Sequence, residues 1–298
     1  MRRRFSRDLS RQFPTMRTTR DFLRAQMPTI DPMHQFLVHK IVDLPPIMIG
    51  GLSLDLSITN SVMMMMIAAT LVCAILFASG RGAVVPGRMQ SLGESLFDIV
   101  DGVLVSPIIG HNGRPYIPFI FTIFMFVLLM NVLGVFLSVG GIAGQHWTFT
   151  PTAQLAVTVT LALLTFFTVI GVGIAKNGLG FFKLFVPGGM PLPMLIFMVP
   201  IEIISFVVRP LTLSMRLFGN ILGGHVVMNI FASFVVMLGF IGATGGIALL
   251  GFAASGLAFG LVIALTALEL MAAVLQAFIF AALATVYLNE VVNLGHGH

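Results

Sequence analysis

Six charged, amide or imidazole side chains interrupt the largely apolar stretch from Pro200 to Asn229: Glu202, Arg209, Arg216, Asn220, His225 and Asn229. A second apolar stretch, Gly246 to Glu290, carries Glu269 and Gln276 in its interior. A charge at the centre of a spanning helix costs roughly 2.5–3.5 kcal/mol on insertion scales, so these residues are candidates for function. Arginine stays protonated inside proteins, so Arg216 cannot relay protons, but it can act as a permanent electrostatic gate. His225 and Glu269 can each take up and release a proton, and burial tunes both over several pH units. The chemistry on offer is proton movement past a fixed cation. The bland alternative is that His225 is a helix–helix hydrogen bond. Asn220 and Asn229 are weaker signals that fit interhelical glue.

Spacing argues against the bland reading. Taken as an antiparallel helical hairpin, the two stretches turn at IGATGG, where Gly242, Gly245 and Gly246 supply flexibility. Residues level across a hairpin have numbers with a constant mean. Arg216 and Gln276 average to position 246, and His225 and Glu269 to 247, both on the glycine turn. Glu269 and Gln276 are seven apart, which places them about 20° from alignment on one helix face. Glu202, Arg209 and Arg216 repeat at seven and share a stripe. His225 follows Arg216 by nine residues, half a turn out of phase, so the two face different sides of their helix. That arrangement suits a path on one side and a barrier at the arginine.

The elements that must position these groups are membrane helices. The chain is 57% hydrophobic and 9% charged, with mean hydropathy +1.03, far from the ~25% charged residues of soluble domains. Spans are expected at about Ile58–Ser79, Ile117–Val139 and Thr152–Ala175. The two long segments follow at about Pro193–Phe240 and Gly246–Glu290. Each is about twice the ~20 residues that cross a bilayer, so it must tilt, bend at Pro200 or Pro210, or emerge. Between the first two spans, MQSLGESLFDIVDGVLV places Leu92, Leu96, Ile99, Val100 and Val103 at helical spacing with acids between. It reads as an amphipathic helix on the membrane surface. The fold class is therefore all-α integral membrane, with about five crossings, a surface helix and a long tilted C-terminal hairpin. Residues 28–57 read as an irregular or amphipathic lead-in, broken by Pro45-Pro46 and Gly50-Gly51.

The net charge of +5 belongs to one end. Residues 1–27 hold eight Arg and two Asp with no Lys or Glu, and the other 271 residues hold eight basic and nine acidic side chains. This arm reads as a targeting sequence, a disordered arm or an over-long start ahead of Met27. The positive-inside rule puts Arg81, Arg88, Arg114, Lys176 and Lys183 inside and the 140–151 loop outside, which leaves the arm on the disfavoured side. No aromatic or Gly-rich recognition motif accompanies the arginines, so nucleic acid is not an expected partner. No G-x-x-x-x-G-K-[ST] occurs, so the chain should bind no nucleotide. Neither a cofactor nor a metal is expected. Cys73, the single cysteine, cannot form an internal disulfide.

At these residues the chain resembles subunit a of the F-type ATP synthase, of the alphaproteobacterial and mitochondrial type. RPLTLSMRLFGNILGGH resembles the family's arginine motif, and LELMAAVLQAFIFAALATVYLNE its C-terminal helix. VPGRMQSLGESLFDIV, PFIFTIFMFVLLMNVLG and KLFVPGGMPLPMLIFMVPIEIIS extend the similarity over about residues 30–290. The resemblance implies a single transmembrane domain, residues 28–298, that is no enzyme on its own. It implies a static proton channel partnered by a rotating c-subunit ring, b-type peripheral stalk subunits, the rest of the synthase and lipid. Arg216 matches the gate arginine, Asn220 the polar residue one turn on, and Gln276 the amide that partners the arginine. His225 and Glu269 match the pair lining the outer half-channel, in the order opposite to many bacterial members. Glu202 matches an acid placed toward the inner half-channel, and Arg209 sits where the family varies. Protons would enter past His225 and Glu269 onto a ring carboxylate. Arg216 would favour that carboxylate's ionised form and drive the proton out to the inner side.

A self-contained secondary transporter would carry its own substrate cavity and usually an internal repeat, and no repeat relates the halves. A purely structural subunit does not explain the charges on the hairpin. The expected location is a bacterial inner membrane, with the mitochondrial inner membrane as the alternative.

Overall fold

The computed structural model describes residues 40–42, 47–49, 52–54, 57–80, 87–139, 150–186, 192–244 and 248–294. The arm 1–27, the loop 140–149, Arg81 and the turn glycines Gly245 and Gly246 lie outside the described residues. Among the described residues, six main helices organise the chain: α1 (Asn60–Ser79), α2 (Arg88–Ile99), α3 (Ile117–Val139), α4 (Leu155–Asn177), α5 (Leu192–Thr244) and α6 (Ala248–Val292). All but α2 are long and apolar enough to cross a membrane, giving five candidate spans. The architecture is the all-α membrane fold that the apolar runs predict.

The lead-in holds short strands. β1 (Lys40–Val42) pairs antiparallel with β4 (Ile58–Thr59), and β2 (Ile47–Ile49) with β3 (Leu52–Leu54). Ile58 and Thr59 thus belong to a strand rather than to the first span. Thr59 is extended and its side chain accepts from the Val62 N–H, so α1 starts one residue later, at Asn60. Similarly, Pro151 opens a 3₁₀ turn at Pro151–Ala153, and α4 begins at Leu155 rather than Thr152.

α2 continues through a π-helical turn at Val100–Val105. The expected single apolar face is split. Val100, Leu104 and Val105 are buried, whereas Leu92, Ile99 and Val103 are exposed. The exposed three keep one face at helical spacing, as suits a helix lying against lipid. Gly93 lets α2 approach the end of α1, where a Cβ would lie 2.4 Å from Ser79 Oγ.

The described residues divide into two compact units. In the larger, drawn from Gln35–Val227 and Ala264–His298, α3 is central. Ile120, Phe124, Met125 and Val127 are buried on it. The same core includes Ala277, Phe280, Ala281, Ala284 and Leu288 of α6. Small residues at that spacing allow close helix packing where lipid offers no hydrophobic drive. Asn131 Nδ2 of α3 donates to Ala273 O of α6 at 3.3 Å. Helix hydroxyls are satisfied locally, as in Thr165 to Leu161 O and Thr285 to Ala281 O, which suits a lipid environment.

In the smaller unit, Met228–Ile263, the end of α5 meets the start of α6. A Cβ on Gly251 would fall 2.5 Å from Gly242 Cα, so only glycine permits this approach. Ser255 Oγ donates to Val235 O at 2.9 Å. Gly242 lies within α5, so it serves helix contact rather than the turn.

α5 runs unbroken as a helix through Pro200 and Pro210. Its 53 residues and the 45 of α6 correspond to about 80 and 68 Å at 1.5 Å per residue, against a hydrocarbon core of ~30 Å. The prolines do not interrupt the helix, and tilt, a bend at Pro200 or Pro210 and emergence from the bilayer each accommodate the excess length.

Candidate functional site

In the larger unit, polar residues of the two long helices form two clusters. The first joins α5 to α6. His225 Nδ1 lies 3.3 Å from Glu269 Oε1, with the side chains 3% and 5% exposed. The pair is at ion-pair distance, yet both Glu269 oxygens are without a hydrogen-bond partner of good geometry. Gly224 makes the approach possible, since a Cβ there would be 2.9 Å from Glu269 Oε1. The other ring nitrogen, His225 Nε2, is 2.8 Å from Thr150 Oγ1. The imidazole therefore lies between a carboxylate at ion-pair distance and a hydroxyl at hydrogen-bond distance.

Nearby chain segments add buried polar groups that the sequence did not single out. Thr150 and Thr152 precede α4, and Asn60 and Ser61 open α1; all four are buried. Ser61 Oγ donates to Gln154 Oε1 at 2.8 Å. Thr152 Oγ1 and Gln154 Nε2 are buried without partners among the described residues. Buried polar atoms of that kind are normally satisfied by protein or water.

The second cluster centres on Arg209. It pairs with Glu290 and, at 3.7 Å, with Glu202. Its guanidinium carbon stands 5.4 Å from the Phe206 ring centroid and 5.0 Å from that of Tyr287. Phe206 in turn packs on Phe166, Phe181 and Phe185 with centroids 5.1–6.3 Å away. A planar guanidinium stacked between rings and forked to two carboxylates is a geometry lysine could not reproduce. The heptad spacing of Glu202 and Arg209 is borne out as a contact. Glu290 was missed, although Glu202 and Glu290 average to 246, the midpoint of Arg216 and Gln276 and one position from that of His225 and Glu269. It sits at the end of its apolar run and so reads as a boundary, and its contact partner Arg209 is not level with it by the midpoint rule.

Arg216 belongs to neither cluster. It is exposed on α5, as is Asn220 one turn on, and it makes no hydrogen bond or ion pair among the described residues. Gly219 and Gly223 on the same stretch have nothing within 4 Å of an added Cβ. His225 faces inward, so the half-turn offset between arginine and histidine is present. Gln276 is 4% exposed, and its Nε2 has no partner. The structure brings together His225 with Glu269 and Glu202 with Arg209, but not Arg216 with Gln276.

Residues 62–289 match the family described as ATP synthase A chain. ATP synthase subunit a of Mesorhizobium japonicum is 44% identical over 268 residues, covering 90% of this chain and 98% of that protein. The subunit a of Rhodopseudomonas palustris is 42% identical over 266 residues, covering 89% and 99%. That of Allorhizobium ampelinum is 42% identical over 271 residues, covering 90% and 99%.

Proposed function

The chain belongs to the ATP synthase A chain family, and on that premise we propose that it is the static proton channel of the synthase membrane sector. It performs no catalysis itself. Protons reach a carboxylate of a rotating c-subunit ring through one half-channel, past His225 and Glu269, and leave through another near Glu202. Arg216 separates the two and prevents a short circuit. Asn220 and Gln276 flank it. The b-type peripheral stalk holds the chain still in a bacterial inner membrane or its mitochondrial counterpart.

One contrast carries this reading. The titratable pair His225–Glu269 is almost wholly enclosed, whereas Arg216 is exposed on the same helix. An arginine left unpaired at membrane depth is expensive unless another group meets it, and a ring carboxylate is such a group. The bare backbone at Gly219 and Gly223 permits a partner helix to come close. The test is proton flux through the purified chain in liposomes, alone and with its ring. Flux only with the ring supports the stator channel. Equal flux from the chain alone would overturn it in favour of a self-contained transporter.

A further inference from the structure

We propose that Thr150 is a positioning residue for His225, fixing the imidazole so that Nδ1 is presented to Glu269. This rests on the channel reading above. Three local features build the position. Pro151 holds the preceding residue extended, and Thr150 lies at φ −82°, ψ 111°. Its carbonyl accepts from the Ala153 N–H at 2.9 Å, tying the backbone into the turn that leads to α4. Its β-branched side chain has few rotamers and presses on α3 at Gly134, where a Cβ would fall 2.2 Å from Oγ1 and 2.4 Å from Cγ2. Any side chain at Gly134 would displace the threonine. The residue is 5% exposed, so its hydroxyl has little water to turn to.

What results is a hydroxyl aimed at His225 Nε2 at 2.8 Å. A hydroxyl is both donor and acceptor. When Nε2 carries a lone pair, Thr150 donates to it and the ring proton sits on Nδ1, facing Glu269. When Nε2 carries a proton, the hydroxyl rotates and accepts. One unmoving side chain therefore serves both states of the ring without moving the imidazole off Glu269. A methyl group in the hydroxyl's place leaves the ring free to tilt and the nitrogen unsatisfied. Among the described residues, Glu269 is the titratable group that faces His225.

The experiment uses the whole synthase in native membrane vesicles. Passive proton flux is measured after removal of the catalytic head, with subunit content checked by quantitative immunoblot. Thr150→Val keeps the shape and loses the hydroxyl. It should lower flux about tenfold at normal subunit content, the effect of one lost buried hydrogen bond. Thr150→Ser should recover at least half of the wild-type flux. Gly134→Ala, which pushes Thr150 aside, should match Thr150→Val. Unchanged flux in Thr150→Val alongside impaired flux in His225→Ala would overturn the role of Thr150 alone. Equal loss in the Val and Ser variants would also overturn it, because packing and not the hydroxyl would then matter. Unimpaired flux in His225→Ala would instead overturn the channel reading on which the role depends.

Discussion

Gly224→Ala gives the sharpest geometric perturbation of the His225–Glu269 pair. The added Cβ would meet Glu269 Oε1 at 2.9 Å, Cδ at 3.3 Å and Cγ at 3.4 Å. Ordinary contact begins near 3.4 Å, so the carboxylate must withdraw from α5 by about 0.5 Å. The His225–Glu269 separation, now 3.3 Å, then widens by a comparable amount and weakens the coupling across the gap. A misplacement of 1 Å at reacting groups costs about a hundredfold in rate, so half of that implies about tenfold. The contact is with the far end of a flexible side chain, so the fold should survive. Alanine is also the better helix former by up to ~1 kcal/mol. The assay is ATP-driven proton pumping in inverted vesicles, normalised to assembled subunit. Gly239→Ala is the control, because its Cβ would meet only Ser255 Oγ at 3.4 Å, an ordinary contact. Wild-type pumping in Gly224→Ala would refute the claim that the position of Glu269 controls proton passage.

Two further outcomes follow from the same geometry. The exchange His225→Glu with Glu269→His keeps one acid and one imidazole across the same gap. It should retain part of the pumping, whereas failure to assemble would mark the pair as structural. Gly173→Ala drives a Cβ to 2.7 Å from the Phe181 ring and 3.2 Å from Val291 Cβ. Overpacking of that kind typically costs about 1–3 kcal/mol, so the complex should lose thermal stability while pumping per assembled complex stays near normal.

Much of this arrangement was legible in the chain itself, because a hairpin of long helices reduces tertiary structure to one number. A midpoint of 246–247 pairs His225 with Glu269, which lie 3.3 Å apart. In the smaller unit, Gly242 and Gly251 have the same midpoint and touch. The midpoint fixes level only, not angle about the axis. Arg216 and Gln276 share it, yet one is exposed and the other buried. Hydrophobicity marked α3 to the residue, since both ends coincide with the limits of its apolar run. Two features needed tertiary information. Thr150 contacts α3 and α5, and nothing in its sequence context singles it out. Arg209 carried no assigned role because its ring partner Phe206 is one of 27 phenylalanines and nothing in sequence brings Tyr287 to it. The π-turn at Val100–Val105 likewise left no mark in the amphipathic spacing.

Arg216→Ala tests the central claim most directly. With the whole synthase assembled at normal subunit content, ATP-driven proton pumping is measured in inverted vesicles. The account predicts that pumping is abolished, because nothing then separates the two half-channels. Pumping retained by the alanine variant would contradict it, since the exposed arginine would not be the gate.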